Sequence, residues 1–149
     1  MGSEGNDLNL VTGDYIAGLT DGEGCFYINL YRFKKYPNAN PQTRIHFYIK
    51  LRQDDLPILQ GVQNTLGFGH INYQRETRSN HSPCYRYEIS DRAKLHLLIQ
   101  FFSDHPLHSP KKLRDMERIK TILTIIDSGE HLTQSGLTRI RQIKIEMHS

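Results

Sequence analysis

Tryptophan is absent from this chain and cysteine occurs only at Cys25 and Cys84. Two thiols without zinc-ligand spacing exclude a disulfide scaffold or a zinc ribbon and suit a reducing compartment. No apolar run approaches the roughly 20 residues that cross a bilayer, so no membrane partner is expected. The opening Met1-Gly2-Ser3-Glu4-Gly5-Asn6 lacks a basic n-region and an apolar h-region, which predicts no secretion signal and an intracellular location. Acids are slightly outnumbered: 19 Lys and Arg against 16 Asp and Glu give a formal charge of +3. That balance suits a polyanionic partner without requiring one. The 149 residues suffice for one domain with a real core, expected over 12–149 behind a flexible lead-in of residues 1–11.

Hydrophobic periodicity supplies the elements. Thr12 to Glu23 begins on an N-cap and places Tyr15, Ile16 and Leu19 at helical spacing. Phe26, Ile28 and Leu30 then alternate with Tyr27, Asn29 and Tyr31, the period of a half-buried strand. After the turn-rich stretch from Tyr36 to Pro41, a second strand alternates Ile45, Phe47, Ile49 and Leu51 with polar neighbours. A helix from Asp54 to Leu66 follows, tolerating Pro57 in its first turn. Strands are expected again over about Phe68–Gln74 and Cys84–Ser90, and helices over Asp91–Phe102, Lys111–Ile126 and Thr133–Met147. The helix-strand-strand order occurs twice. It predicts an α+β fold of αββαββα type, a four-stranded antiparallel sheet with helices on one face and the other face bare.

On that bare face the alternation collects Tyr27, Asn29, Tyr31, Arg44, His46, Tyr48, Lys50, Arg52, His70, Asn72, Gln74, Arg86 and Glu88. Polar alternation is the default for any solvated sheet. The side chains are also those that read bases: Arg and Lys donate to guanine, Asn and Gln pair with adenine, and Glu accepts from cytosine. A twisted β-ribbon enters the major groove of duplex DNA, whereas the deep narrow groove of duplex RNA excludes it.

The string Ile16-Ala17-Gly18-Leu19-Thr20-Asp21-Gly22-Glu23-Gly24 closes the first helix. Gly18 and Gly22 clear one helix face, which permits close approach of a second helix across a two-fold axis; the same spacing would also serve packing within one chain. The string resembles the signature of the LAGLIDADG homing endonucleases, with Thr20 where an aliphatic residue is more usual. The resemblance extends through the strand pair, the Leu66-Gly67-Phe68-Gly69 turn, Pro106-Leu107 and Lys111-Lys112. A single motif copy is similar to the homodimeric branch.

That resemblance implies a site-specific endonuclease which binds a long pseudo-palindromic duplex as a homodimer and cuts both strands, promoting intron homing. It implies a seam formed by Gly18, Leu19 and Gly22. Glu23, with the Gly22 carbonyl, would hold Mg2+ or Mn2+, while Asp21 would bond turn amides. Glu23, Gln53 and Lys111, with Lys112 as a substitute for the last, would form the catalytic set, Gln53 orienting water and Lys111 stabilising phosphate charge. Alternatives on the same scaffold are an RNA maturase, with intron RNA as partner, and a non-cleaving DNA-binding regulator. The host compartment stays open between a bacterial or archaeal cytoplasm and an organelle, mitochondrion or chloroplast.

Overall fold

A computed structural model describes residues 9–78 and 81–147. In chain order the elements are α1 (Gly13–Glu23), β1 (Gly24–Tyr31), β2 (Gln42–Arg52), α2 (Leu56–Leu66), β3 (His70–Gln74), β4 (Cys84–Ile89), α3 (Arg92–Asp104), α4 (Pro110–Asp127) and α5 (Gln134–Met147). Short 3-10 turns occupy Gln53–Asp55 and Glu130–Leu132. The strands form one antiparallel sheet in the order β1-β2-β4-β3. This is the αββαββα architecture, with β1 and β3 at the edges and β2 and β4 in the middle.

Local chemistry explains most boundaries. The Thr12 side chain accepts from the Tyr15 amide, Asp91 from Lys94 and Ser109 from Lys112, so α1, α3 and α4 each begin on a side-chain cap. Gly67 ends α2 at φ 84°, a left-handed conformation that favours glycine. Two boundaries differ from expectation. The helix expected from Asp54 opens as a 3-10 turn at Gln53 and becomes α-helical only at Leu56, since Pro57 supplies no amide to a preceding turn. The third strand starts at His70, because Gly69 has φ 98° and packs against Tyr87 where a side chain would collide with the ring.

The apolar members of each strand face the helices. Phe26 and Ile28 of β1, Ile45, Phe47 and Ile49 of β2, and Tyr87 and Ile89 of β4 are buried against Ile16, Leu59, Leu98, Phe102, Ile119 and Ile140. Phe26, Phe47 and Phe102 cluster with ring centroids 5.0 to 6.5 Å apart. The Tyr87 hydroxyl donates to the Phe68 carbonyl at 2.7 Å, and burial pushes its pKa well above the usual phenol range.

Residues 9–11 of the expected lead-in are bonded to α2. Val11 exchanges two 2.9 Å bonds with the Thr65 hydroxyl, and the Asn9 carbonyl accepts from Asn64, fastening residues 9–11 to α2. Residues 1–8 of that lead-in lie outside the described residues. Among the described residues no helix is long and apolar enough to cross a membrane.

Candidate nucleic-acid interface and metal centre

The register puts the polar members of all the strands on one face. Tyr27 lies opposite His46 and Asn29 opposite Arg44; Tyr48 pairs with Glu88 and Lys50 with Arg86; His70 faces Glu88 and Asn72 faces Arg86. Tyr31, Arg52 and Gln74 continue the same face, so the structure brings together every side chain expected there. Alternation also places Cys25, Gln42 and Cys84 on it, opposite Tyr48, Tyr31 and both Arg52 and Gln74. Cys25 and Cys84 follow from the period of two but carry no base-reading chemistry, while Gln42 precedes Ile45, where the clear alternation of the second strand begins.

The face divides into a self-engaged centre and free flanks. In the centre the His46 ring stacks on Tyr27 at 4.6 Å with an 8° interplanar angle. His46 Nδ1 lies 2.5 Å from Glu88 Oε2, and Arg86 Nε 3.3 Å from Glu88 Oε1. The Arg86 guanidinium lies 3.7 Å from the centre of the Tyr48 ring, and its Nη2 donates to the Tyr27 hydroxyl at 3.4 Å. Interaction with the Cys25 side chain, then burial, pushes the Tyr48 hydroxyl upward, which keeps it a neutral donor and acceptor. On the flanks, Asn29, Lys50, His70, Asn72 and Gln74 make no hydrogen bond or ion pair among the described residues. Arg44 stacks on Tyr31 at 4.2 Å, while Arg52 donates to Ser82 at 3.1 Å.

At one end of this face stands the C-terminus of α1. Its inner side is Ile16, Ala17 and Thr20, all buried. Its outer side is Tyr15, Gly18, Leu19 and Gly22, one helical stripe of which Tyr15, Gly18 and Gly22 are exposed and Leu19 is half-buried. A β-carbon added at Gly18 or Gly22 would meet nothing within 4 Å, so neither glycine serves packing inside the described chain. Tyr15 belongs to this stripe as well, at the i, i+3, i+4, i+7 spacing that α1 shares with any amphipathic helix.

The electrostatics of that helix end are unbalanced. The last turn holds no basic residue, and a helix C-terminus already carries partial negative charge on carbonyls without helical amides. Asp21 is satisfied: its carboxylate accepts from the His108 amide at 2.9 and 3.1 Å and from the Ser109 amide at 3.0 Å. These amides lead into the positive N-terminus of α4. Glu23, by contrast, is exposed and has no hydrogen bond or ion pair among the described residues. Its carboxylate and the neighbouring Gly22 carbonyl are hard oxygen donors in a negative field, the donor chemistry that Mg2+ prefers. Among the described residues no three acidic, histidine or cysteine groups converge into a metal cage.

Gln53 does not end β2 but begins the 3-10 turn beyond it, its amide bonded to the Pro83 carbonyl at 3.0 Å. It lies at the Glu23 end of the sheet, since Ile49 pairs with Gly24 and Gln53 follows about 13 Å further along at strand rise. Lys111 occupies the first turn of α4, directly after the amides that hold Asp21. Its ammonium is engaged 2.8 Å from the buried Asp115 carboxylate, which Arg118 also approaches at 3.5 Å. Lys112 is half-buried and has no ionic partner among the described residues.

A half-buried polar face of an antiparallel sheet thus stands beside an acid-tipped helix cleared at Gly18 and Gly22. The family profile described as LAGLIDADG endonuclease matches residues 16–125, and the chain belongs to that family. The crystal structure of the homing endonuclease I-TnaI is similar with a TM-score of 0.79 and 31% identity, covering 94% of this chain and 90% of that one. I-SmaMI bound to uncleaved DNA in the presence of calcium ions gives a TM-score of 0.78 at 26% identity, over 92% of this chain but 45% of that one. Among curated proteins, "Uncharacterized 50.9 kDa protein in ND4 intron 1" of Podospora anserina is 30% identical over 80% of this chain. "Probable intron-encoded endonuclease 3" of Neurospora crassa is 30% identical over 89%. The chain spans about a quarter of the length of those two curated relatives, 25% and 24%.

Proposed function

We propose that this chain is one half of a site-specific, metal-dependent DNA endonuclease, active when two such units meet along α1. The observation that carries the reading is Glu23: an unpartnered carboxylate at the negative end of a helix whose adjoining face is cleared at Gly18 and Gly22. A second copy related by a two-fold axis would set Tyr15, Gly18, Leu19 and Gly22 against their own images and bring two Glu23 carboxylates together. Two like charges side by side repel unless a cation or a shared proton lies between them. Glu23 and the Gly22 carbonyl of each copy would hold Mg2+ or Mn2+, which would supply Lewis acidity and an acidified water as nucleophile.

The chain's own groups then divide the work. The bare sheet lies in the major groove of one half-site, where Arg44, Lys50, Asn72 and their neighbours contact base edges and phosphates. Gln53 orients the attacking water through its amide. Lys111, released from Asp115 or exchanging with Lys112, places positive charge near the scissile phosphate, where it stabilises the developing negative charge. The intron-encoded fungal relatives favour an organellar compartment over a bacterial or archaeal cytoplasm.

The test is incubation of the purified chain with a randomised duplex library in magnesium or calcium. Product in magnesium and retained but uncut duplex in calcium are expected; retention without cutting in either would make it a non-cleaving binder. A second reading has its own support, since this chain matches less than half of I-SmaMI: the facing unit could be a second domain of one longer chain. Sedimentation of this chain alone separates the two, because a homodimer forms at micromolar concentration and a lone half does not.

A further inference from the structure

The geometry points to Glu88 as a positioning residue that holds Arg86 and His46 for base recognition and reads no base itself, an inference that rests on the duplex-DNA reading above. Among the described residues Glu88 is the one acid on the sheet face, and the sequence alone suggested an acceptor for cytosine. In the structure both carboxylate oxygens are already engaged. Oε2 meets His46 Nδ1 at 2.5 Å, and Oε1 lies 3.3 Å from Arg86 Nε. An unpaired carboxylate on a surface that approaches phosphates would repel them, so an acid survives there only when neutralised by its neighbours.

The remaining contacts close a ring across three strands. His46 stacks on Tyr27, Tyr27 accepts from Arg86, and Arg86 lies over Tyr48. Side-chain exposures are 17% for His46, 19% for Arg86 and 20% for Glu88, values of a packed cluster on a face whose flanks are free. Arginine carries five donors in a rigid fork. Glu88 lies beside Nε as an ion-pair partner without hydrogen-bonding it and Tyr48 fixes the plane, which leaves Nη1 and the second N–H of Nη2 for a bidentate contact with guanine. Fixing the fork before binding removes the ordering cost that a free arginine meets on binding. The centre of the face is thus a preset reader, and the flanks with Lys50 and Asn72 are adaptable ones.

The experiment compares wild type, Glu88→Gln, Arg86→Ala, Arg86→Lys and the Glu88→Gln/Arg86→Ala double variant, each selected on a randomised duplex library in calcium and sequenced. Glu88→Gln is expected to relax preference at the same base pair as Arg86→Ala, by roughly 10-fold, with the double variant no worse than Arg86→Ala. Arg86→Lys, which keeps the charge and loses the fork, should relax that same base pair. A cytosine preference lost in Glu88→Gln at a separate base pair, and lost again in the Arg86→Ala background, would overturn the inference. So would an unchanged preference profile in Glu88→Gln. Wild type that retains no duplex would instead overturn the DNA reading itself.

Discussion

The two helix-strand-strand units place α1 and α2 in equivalent positions, yet the helices treat their outer faces differently. α2 buries Leu59, Gly61 and Val62, and the space beside Gly61 is filled by Val11 and Asn9 of the same chain. α1 buries Ile16, Ala17 and Thr20 but leaves Gly18 and Gly22 facing open space. The ends differ as well. α2 closes on a left-handed Gly67, a purely conformational stop, while α1 closes on Glu23 and an extended Gly24. One helix is packed on this face by its own chain; the other leaves the face open among the described residues. A glycine in a helix therefore carries no fixed meaning, and what an added β-carbon would touch decides between packing and association.

The largest expected effect breaks this contrast at the helix ends. Glu23→Gln should lower double-strand cleavage by at least about 100-fold while leaving duplex retention in calcium intact, because it removes a charged oxygen ligand and spares the sheet. Gel resolution of cut and retained duplex measures both, and full activity in the variant would remove Glu23 from the chemistry. The counterpart Gly67→Ala should cost roughly 1 kcal/mol of stability through its positive φ, without touching the chemistry.

Next come the glycines. Gly18→Leu should weaken self-association by about 100-fold or more, at about 1–3 kcal/mol of overpacking per copy, and leave the melting temperature of the separated chain unchanged or higher. Gly61→Leu should do the reverse, lowering the melting temperature because Val11 Cγ1 already lies 2.9 Å from the site of a β-carbon. Sedimentation and thermal melts together tell these outcomes apart, and identical behaviour of the two variants would erase the distinction.

A smaller effect concerns the inner side of α1. The Thr20 hydroxyl is buried with no hydrogen-bond partner among the described residues, and its methyl group abuts Gly24. Thr20→Val keeps the shape and removes the orphaned polar atom, so stability should rise by about 1 kcal/mol in chemical denaturation. A loss would show that the hydroxyl finds a partner in solution.

The smallest effect sharpens a contrast between the two hairpin loops. Arg32 stitches the first by donating to the Pro37 and Ala39 carbonyls, contacts that acid does not touch. In the second, Arg78 donates to Glu76 from its side chain and its amide, holding that carboxyl down at about 2 from an ordinary 4.5. A depressed folded value means the clip is fully present above pH 4.5 and is lost as pH falls through about 2. Carboxyl titration by NMR should show that midpoint, and Arg78→Ala should return it toward 4.5.

Much of this organisation was legible in the sequence because it is local. Caps at Thr12 and Asp91 and the alternation of β1 and β2 need only near neighbours, and they placed those elements within a few residues; the Ser109 cap, equally local, lies inside a stretch that reads as a break between helices. Period two likewise gathered the reading face before any strand order was known. The order β1-β2-β4-β3 rests on pairings between distant segments, which no local pattern encodes. For the same reason the link between His46 and Glu88 was invisible, since the two belong to strands separated by α2. Lys111 and Asp115, four apart on one helix face, form a pair that spacing could have shown and that chemistry-led reading overlooked.

Asp21 couples two helices of opposite polarity by receiving the amides of His108 and Ser109. The acid-bearing tip of α1 and the lysine-bearing first turn of α4 are therefore bolted into one rigid jig. Anyone grafting the motif helix onto a foreign scaffold would have to transplant residues 107–111 with it; moved alone, the helix would arrive with an unanchored tip and its lysine left behind.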